Sequence, residues 1–393
     1  MTQSFQPPVR TLMGPGPSDI HPRVLAAMAR PTIGHLDPAF IAMMDEVKSL
    51  LSYAFQTTYP LTMPVSAPGT AGMETCLVNL LECGDTALIC INGVFGGRMK
   101  AICERIGVKV ITVEDDWGKP VSIDKVDAAL KANPEIKLVG FVHAETSTGA
   151  RSDAAAISKL AQAADALTVC DTVTSLAGVE LKVEDWGLDA VYSGSQKCLS
   201  CVPGISPITL SPKAVATIEA RKSSVTSWFL DLNLVMGYWG SGAKRSYHHT
   251  APVNALYALH ESLVLLKNEG LEASHARHMH HHLGLRAGLE ALGLEFVVEP
   301  EYRLPQLNAV KLPEGVDDAA IRKELLNNYG LEIGGGLGAL AGKAWRIGLM
   351  GYAARKDNVV GCISALGEAL HKQDQKIKVG PALDAVFAHY AKA

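Results

Sequence analysis

The 393-residue sequence predicts an α/β fold in two parts. A large domain carries a mainly parallel, seven-stranded-type sheet between helices, and a smaller α+β domain follows at the C-terminal end. Two observations support this prediction. Between about residues 64 and 210, runs of Val, Ile and Leu alternate with amphipathic stretches, and such continuous apolar runs are typical of parallel strands buried on both faces. After residue 250 the alternation stops, and long helical stretches precede isolated strands.

The first half supplies the predicted sheet. Short apolar runs indicate strands, whereas longer stretches with an apolar residue every three or four positions indicate helices. Ser122 precedes one such helix and is its expected N-cap, because a serine oxygen accepts a hydrogen bond from a free backbone N–H. We expect strands at residues 86–91, 109–113, 136–144, 167–173, 190–192 and 205–210, and helices at 73–82, 97–107, 122–133 and 153–166.

The second half is organised differently. A helical stretch from about residue 253 to 292 is expected to break near Gly270, since glycine disfavours a helix interior. Strands are then expected at 294–298, 308–312 and 344–350, a helix at 318–330 and a last helix at about 356–371. These segments predict an N-terminal arm over residues 1–15, a large domain over 16–260 and a small C-terminal domain over 261–393.

The composition argues against several classes of function. Lys and Arg number 36 against 40 Asp and Glu, and the charge of −4 is spread evenly, which argues against nucleic-acid or membrane-surface binding. No signal-peptide core and no apolar run of about 18 residues is visible, so we expect an unsecreted, cytoplasmic protein without a transmembrane helix. The eight cysteines mostly lie in apolar runs and are expected to be reduced core residues.

The segment DAVYSGSQKCLSCVPGISPITL, residues 189–210, places Lys197 among small residues between two apolar runs. Lysine is strongly hydrated and is seldom fully buried without a partner. Desolvation lowers the pKa of its ammonium and frees an amine that can attack an aldehyde. A Schiff base with pyridoxal phosphate requires such a lysine. It also requires an acid for the ring nitrogen, a phosphate cup and a face for the ring.

The acid and the phosphate cup have candidates near the ends of predicted strands. Asp171 is the candidate acid, because a carboxylate there would keep the ring nitrogen protonated; an N-cap aspartate would have the same pattern. Gly69 and Thr70 precede a predicted helix, whose free N–H groups bind a dianion well. A plain loop-to-helix junction would look the same. Gln196 adjoins Lys197 and is polar, so it could reach the phosphate.

Three further side chains complete the pattern. Phe95 follows the strand at 86–91. Its ring could stack on a cofactor ring, or it could be an ordinary core residue. Thr146 offers a hydroxyl for a phenolate oxygen, or for a local turn. Arg346 is a lone arginine in an apolar strand. A buried guanidinium requires a carboxylate partner, which is either an internal Asp or Glu or the carboxylate of a substrate.

Taken together, the chain resembles the class V, fold-type I family of pyridoxal-phosphate-dependent aminotransferases. Within that family it is most similar to the alanine–glyoxylate and serine–glyoxylate aminotransferases. The resemblance runs over almost the whole length, from LMGPGPS at residues 12–18 to the last helix. The segments that carry it are GHLDPAF, MDEVKSLL, HAETSTGAR, DTVTSLAGV, YSGSQK, YHHTAPV and GGGLGALAGKAWRIGLMG.

The resemblance implies roles around the cofactor. Lys197 would hold it and then act as the acid and base of transamination, while Asp171 would pair with the ring nitrogen. Phe95 stands where some relatives carry tryptophan, and Thr70 where some carry histidine. The remaining implied contacts are made by Gly69, Thr146 and Gln196.

The resemblance also implies a partner subunit and a substrate site. Tyr247 and Thr250 match residues that reach the phosphate of the neighbouring subunit, which implies a homodimer with shared active sites. Arg346 matches the arginine that binds the substrate carboxylate, and Gly14 matches a residue that lines the small substrate pocket.

The implied reaction is ping-pong transamination of an amino acid and a 2-oxo acid. A small donor, alanine first and serine next, gives its amino group to glyoxylate, which becomes glycine. Serine, (S)-ureidoglycine and 3-hydroxykynurenine remain open as donors, because an apolar pocket discriminates poorly against an added hydroxyl. A lyase or desulfurase of the same fold is one rival; a cofactor-binding protein without turnover is another, although it would not need Arg346.

Three other patterns are interpreted as structural. His278 and His282 have the spacing of a metal site on a helix, but no acidic or cysteine partner is evident, so we expect a solvated helix face and no metal. Cys198 and Cys201 form a C-x-x-C that is assigned to loop packing. The GGGLG at residues 334–338 lacks the βαβ unit of a dinucleotide site.

Overall fold

The strands of the protein form one large sheet and three small ones. The computed structural model describes residues 2–240 and 245–392, and every structural statement refers to these residues. In chain order the strands are β1 (Thr11–Leu12), β2 (Leu61–Val65), β3 (Thr86–Ile91), β4 (Lys109–Glu114), β5 (Ile136–Val142), β6 (Ala144–Glu145), β7 (Ala150–Arg151), β8 (Leu167–Asp171), β9 (Ala190–Tyr192), β10 (Ser206–Leu210), β11 (Leu307–Lys311), β12 (Leu331–Glu332), β13 (Gly334–Gly335) and β14 (Ala344–Gly348).

The helices pack on the large sheet and build the C-terminal part. They are α1 (Pro22–Met28), α2 (Pro38–Phe55), α3 (Gly69–Leu80), α4 (Val94–Ile106), α5 (Ile123–Ala132), α6 (Ala154–Ala163), α7 (Pro212–Glu219), α8 (Leu232–Trp239), α9 (Val253–Glu269), α10 (Leu271–Ala291), α11 (Asp318–Asn328), α12 (Lys356–Gln373) and α13 (Val379–Tyr390).

The large sheet has seven strands in the order β2-β10-β9-β8-β5-β3-β4. Neighbours from β9 through β4 run parallel, and only β10 runs antiparallel to its neighbours β9 and β2. This confirms the predicted α/β class with a mainly parallel sheet. Apart from the edge strand β4, the strands are almost wholly buried because helices cover the sheet, which explains their continuous apolar sequences. Parallel strands bring their carboxyl ends to one edge, where ligands collect.

Two expectations for the C-terminal part are wrong. Residues 294–298 do not form a strand; only Phe296 makes an isolated bridge, to Val310. A helix that was not expected, α13, follows α12. Its sequence opens with a Gly-Pro pair, which suggests a turn, yet proline is tolerated in the first turn of a helix, where N–H groups have no intrahelical partner. The predicted break at Gly270 is confirmed, with φ at 90° between α9 and α10.

Buried apolar side chains form two separate clusters. The larger lies around the seven-stranded sheet and includes Leu263 and Leu266 of α9, while the smaller lies among α10 to α13 and the sheet β11-β14-β13. Met13 of the N-terminal arm belongs to the smaller cluster. The expected division near residue 260 falls inside α9, which packs on α1 and α2. We propose Gly270 as the boundary, because the helix is interrupted there.

All eight cysteines are free thiols. Seven are buried, and Cys83, in the turn between α3 and β3, is exposed. Burial raises the pKa of Cys76, Cys198 and Cys201 to about 12. The Cys198 thiol contacts the Thr174 carbonyl oxygen at 3.4 Å, as a packed loop residue does.

Among the described residues, no helix is both long and apolar enough to traverse a bilayer.

Candidate active site

Lys197 lies in the turn that leads from β9 to β10, beneath the N-terminal arm. Its amine donates a hydrogen bond to the carbonyl oxygen of Pro15. The Ser18 hydroxyl donates a hydrogen bond to the backbone carbonyl of Lys197 at 2.8 Å. Gly16 has φ at 113° and passes so close to the lysine that a side chain there would collide with the amine. Burial lowers the pKa of Lys197 to about 8. The arm and the turn therefore hold a partly neutral amine at physiological pH.

Asp171 is the last residue of β8 and is only 2% exposed. Its Oδ1 accepts a hydrogen bond from the Val173 N–H at 2.8 Å, and its Oδ2 accepts one from the Tyr192 hydroxyl at 2.6 Å. Burial raises the pKa of Asp171 to about 6, although the Tyr192 hydrogen bond and the charge of Lys197 oppose the rise. No helix begins at this residue, so it is not an N-cap.

Gly69 and Thr70 form the first turn of α3. The helix has Pro68 as its N-cap and therefore no side-chain cap, so its first N–H groups are open to an anion. A Cβ atom at Gly69 would lie 3.2 Å from a methyl group of Val173, which explains the need for a small residue.

Arg98 stands beside this turn and was missed by sequence reasoning. Its guanidinium donates to the Thr70 hydroxyl at 2.8 Å and lies 4.8 Å from the centre of the Phe95 ring. In the sequence, Arg98 is not distinguished from the many other basic residues on amphipathic helices. Its spacing of three residues from Phe95 is the signal that could have revealed it.

Seven of the predicted residues line one cavity of about 240 Å³. That volume is at the low end for small-molecule sites and suits a compact cofactor. Together with Pro68, Met73, Arg98, Val173 and Tyr192, the lining consists of Gly69, Thr70, Phe95, Thr146, Asp171, Gln196 and Lys197.

Arg346 reaches the edge of this cavity from β14. Its Nε donates to the Gly335 carbonyl at 2.8 Å, and its Nη1 donates to the carbonyl of Thr146 at 3.3 Å. The residue is 6% exposed, and in the described chain no carboxylate forms a salt bridge with it. Burial lowers the pKa of Arg346 to about 10, while the charge of Glu145 opposes the fall. A buried guanidinium that has no carboxylate partner in its own chain is suited to bind the carboxylate of a substrate.

Glu145 is a second residue that sequence reasoning missed. It is fully buried, and its carboxylate accepts hydrogen bonds from the N–H and hydroxyl of Ser147, at 3.0 and 2.6 Å, and from the Phe95 N–H at 3.3 Å. Burial raises the pKa of Glu145 to about 7, against the opposing effect of the Ser147 hydrogen bonds. The hydroxyl of Thr146, next in sequence, is hydrogen-bonded to that of Thr174 at 2.5 Å.

Three predicted residues lie outside the cavity of a single chain. Gly14 is buried where the N-terminal arm meets β13, and a Cβ atom there would lie 3.7 Å from the Gly334 nitrogen. Tyr247 is 60% exposed, with its ring 5.4 Å from that of His35, and Thr250 is exposed. The structure therefore assembles the lysine, the acid and the ring face, and leaves Tyr247 and Thr250 on the surface.

The two histidines expected on a solvated helix face are buried, so that expectation is wrong. His278 is 0% and His282 4% exposed. His278 donates from Nδ1 to the Ser274 carbonyl at 2.7 Å and accepts the Gly351 N–H at Nε2 at 2.8 Å. His282 pairs with Asn308 at 2.6 Å. Across the described residues, no three His, Cys, Asp or Glu side chains are grouped as metal ligands would be.

The residues of the cavity fit pyridoxal phosphate. A desolvated amine, a buried carboxylate, an uncapped helix N-terminus and an aromatic ring surround one compact space, and each matches one part of that cofactor. The side chain of Gln196 also lines the cavity, and its buried oxygen accepts no hydrogen bond within the described residues. Fold and site thus define a protein of the fold-type I class that uses this cofactor.

Comparison with known proteins identifies the family. Residues 18–357 match the family model "Aminotransferase class-V". The chain is 37% identical over 98% of its length to (S)-ureidoglycine–glyoxylate transaminase of Bacillus subtilis, covering 96% of it, and 40% identical over 92% of its length to alanine–glyoxylate aminotransferase of Rattus norvegicus, covering 88% of it. The crystal structure of alanine–glyoxylate aminotransferase from Nostoc sp. has a TM-score of 0.92 at 46% identity, over 94% of this chain and 97% of that one.

The chain belongs to the class V aminotransferase family. It is a transaminase that depends on pyridoxal phosphate, as the resemblance of its sequence implied.

Proposed function

We propose that the protein transfers the amino group of a small amino acid, alanine first and serine next, to glyoxylate. The products are glycine and a 2-oxo acid, formed in two half-reactions. The observation that carries the proposal is the position of Arg346 next to the cavity that Lys197 lines: its Nη1 donates to the carbonyl of Thr146, which is itself a lining residue. The names of the relatives from Bacillus, rat and Nostoc, each of which includes glyoxylate, support this acceptor.

The residues of the cavity divide the chemical work. Pyridoxal phosphate, when bound, supplies an electrophilic aldehyde and a ring that withdraws electrons from the substrate. The Lys197 amine, with its pKa lowered to about 8, would take the proton from the substrate Cα and deliver it to the carbon of the cofactor's aldehyde group. The Asp171 carboxylate would pair with the ring nitrogen and keep it protonated, and the open N–H groups of Gly69 and Thr70 would bind the phosphate. Phe95 and Thr146 would contact the ring, and Gln196 would lie near the phosphate.

Arg346 orients the substrate. Two of its N–H groups are used by backbone carbonyls, which fix the guanidinium plane and leave the others for a carboxylate. A substrate held by its carboxylate presents its Cα–H to Lys197 in one orientation, which is the positional part of catalysis. We place Gly14 beside this site, as the residue that limits substrate size.

The donor is the finer question. Identities of 40% and 46% to two alanine–glyoxylate aminotransferases favour alanine, and 37% identity to the Bacillus enzyme keeps (S)-ureidoglycine as the main alternative. Serine and 3-hydroxykynurenine are further alternatives, and a lyase of the same fold is a more distant one.

We further propose a homodimer with shared sites, located in the cytoplasm. Tyr247 adjoins an exposed aromatic group that includes Trp228, 64% exposed and stacked on His248 at 4.5 Å. Exposed apolar side chains in a group favour a protein interface. A second copy that covers this surface would bring Tyr247 and Thr250 to its own phosphate cup.

The test is the absorption spectrum of the purified protein with bound pyridoxal phosphate. L-Alanine, L-serine, L-aspartate and (S)-ureidoglycine are added singly, and glyoxylate follows. The visible band should be lost with the preferred donor at the lowest concentration and return with glyoxylate. A protein that takes up no cofactor contradicts the site; a coloured protein that no donor changes contradicts the transamination and favours the lyase.

Arg346→Lys tests the substrate role separately. A lysine keeps the charge but loses bidentate binding, so we expect KM for the donor to rise at least about 30-fold, the effect of roughly 2 kcal/mol. Cofactor affinity should stay within about twofold. Arg105→Lys, on the exposed part of α4, is the matched control and should change neither value. An unchanged KM in the first variant would remove Arg346 from the substrate site.

A further inference from the structure

Helix α4 begins at the cavity without a cap of its own. Its N-cap residue is Gly93, which has no side chain to accept the first free N–H groups. Such N–H groups need an acceptor when they are buried, and an unmet one is costly. Six of the helices of the described chain solve this with an Asp or Ser at the N-cap, such as Asp153 of α6, which accepts the Ala156 N–H at 2.9 Å.

The acceptors for α4 come from another segment, the end of β6 and the turn that joins it to β7. The Ser147 hydroxyl accepts the Val94 N–H at 3.1 Å, and the Glu145 carboxylate accepts the Phe95 N–H at 3.3 Å. Ser147 also donates to Glu145 at 2.6 Å, which fixes both acceptors. A Cβ atom at Gly93 would lie 2.5 Å from the Ser147 hydroxyl oxygen and would collide with the Glu145 carboxyl group. The glycine thus makes room for a cap supplied from outside the helix.

The first turn of α4 carries two residues of the cavity, Phe95 and Arg98. We propose that Glu145 and Ser147 are positioning residues that cap α4 and thereby hold the Phe95 ring and the Arg98 guanidinium at the cofactor. The position of α4 also affects the phosphate cup, because Arg98 donates a hydrogen bond to the Thr70 hydroxyl at 2.8 Å.

The nature of the acceptor supports this role. A carboxylate at a helix N-terminus interacts favourably with the helix dipole. Residues 145 to 147 span the end of β6 and the start of the turn to β7, and the middle member, Thr146, lines the cavity and accepts a hydrogen bond from Arg346 with its carbonyl oxygen at 3.3 Å. One short segment therefore sets the ring face, the Thr146 hydroxyl and the substrate arginine relative to one another.

The experiment compares cofactor binding to apoenzyme variants. In Glu145→Ala/Ser147→Ala we expect the Kd of pyridoxal phosphate, measured by quenching of tryptophan fluorescence, to rise about tenfold, the effect of roughly one lost cap. The visible band of the bound cofactor should shift, because the ring face has moved. Glu145→Gln keeps an acceptor oxygen and should give a smaller rise, and it serves if the double variant does not fold.

A third substitution distinguishes positioning from a direct effect of the carboxylate. Adding Gly93→Ser to the double variant gives α4 an N-cap of its own in the space that was vacated. Both the Kd and the band should return to within about threefold of the wild-type values. Loss of binding without this rescue, in a protein with a native circular dichroism spectrum, would overturn the inference, since Glu145 would then act on the site directly.

Asp153→Ala is the matched control. It removes the cap of α6, a helix that does not line the cavity, and should leave the Kd unchanged. The inference rests on the proposed site of pyridoxal phosphate. Wild-type protein that binds no cofactor would refute that site. If the wild-type protein binds pyridoxal phosphate and the Glu145→Ala/Ser147→Ala variant binds it equally well, only the proposed positioning role of Glu145 and Ser147 would be refuted.

Discussion

At the scale of the residue, Lys197 takes its reactivity from desolvation. Burial is the main cause of its lowered pKa, and the effect of Asp171, which raises the pKa, is minor. The carbonyl of Pro15 gives the amine a neutral acceptor, so no carboxylate holds it in the charged form. A lysine in an ion pair would stay protonated and could not attack an aldehyde.

This environment predicts a pH dependence for uptake of the cofactor by the apoenzyme. The neutral amine is the reactive form, and with a pKa of about 8 it makes up roughly a tenth of the lysine at pH 7 and nine tenths at pH 9. The rate of covalent attachment, followed by stopped-flow absorption, should therefore rise nearly tenfold over this range. A lysine with its ordinary pKa of 10.5 would give a rate that still rises tenfold per unit at pH 9.

The sequence allows the prediction of some residues of the site and not of others. Lys197, Asp171 and Arg346 stand out because each is polar within an apolar or small-residue segment. Glu145 does not, since its burial depends on Gly93, 52 positions earlier in the chain. The hydrogen bond from Tyr192 to Asp171 arises because β8 and β9 are neighbours with these residues in register.

At the scale of the element, His278 links α10 to the turn at Gly351. Because Nδ1 donates to a carbonyl and Nε2 accepts an N–H, the imidazole is neutral in the folded protein. Burial, and then the charge of Arg277, lowers the pKa of His278 to about 3. A proton on Nε2 would oppose the Gly351 N–H and break this link.

We therefore expect His278 to make the protein sensitive to acid. Below about pH 6.5 the unfolded chain binds a proton at this residue, and the folded protein does not until about pH 3, so stability falls as the pH falls. His278→Gln should lower the free energy of unfolding at pH 7 by about 1–3 kcal/mol. Between pH 6 and 4 it should lose about 1.4 kcal/mol less per pH unit than wild type.

Denaturant titrations at several pH values measure this difference. His371→Gln, at an exposed position near the end of α12, is the control and should keep the wild-type slope. Equal slopes for wild type and His278→Gln would mean that the buried imidazole does not titrate as described.

Elements with a strong periodic pattern were predictable, and those shaped by their surroundings were not. The sheet strands β3, β4, β5, β8, β9 and β10 follow from their apolar runs, and the hydrogen bond from the Lys125 N–H to Ser122 confirms that cap. The burial of His278 and His282 depends on the partners Gly351 and Asn308, which are far away in sequence. The histidine-rich helical pattern therefore predicted a solvent-exposed helix face. In the folded protein, tertiary packing buries these histidines and gives them uncharged hydrogen-bond partners.

At the scale of the whole molecule, the proposed homodimer predicts active sites that are shared between two chains. Tyr247 and Thr250 lie on the surface, away from the cavity of their own chain. In the proposed dimer, each site combines Lys197 of one copy with Tyr247 of the other.

Mixed dimers test this arrangement. We expect Lys197→Ala and Tyr247→Ala/Thr250→Ala to be weakly active alone, and a dimer with one subunit of each to recover about half of the wild-type activity, since one of its two sites is intact. Two different purification tags isolate the mixed species. A dimer of Lys197→Ala with Arg346→Ala should recover nothing, because every site then carries a defect. Absence of recovery in the first pair as well would place each site within a single chain.

The overall architecture follows from the order of elements, whereas the relation between its parts does not. Alternating strands and helices predict the parallel sheet, and the connection rules of such sheets leave few alternatives. The insertion of Met13 into the core of the C-terminal part has no local pattern, because it depends on pairing of β1 with β12, more than 300 residues later.

The single accessible thiol offers a practical handle on the protein. A maleimide dye should attach to Cys83 in the native state, since the other seven cysteines are buried. Helix α3 of 12 residues separates it from the phosphate cup, which is about 18 Å. A fluorophore there could report on cofactor loading by energy transfer without touching the site. The native chain therefore needs no engineered cysteine for single-molecule work.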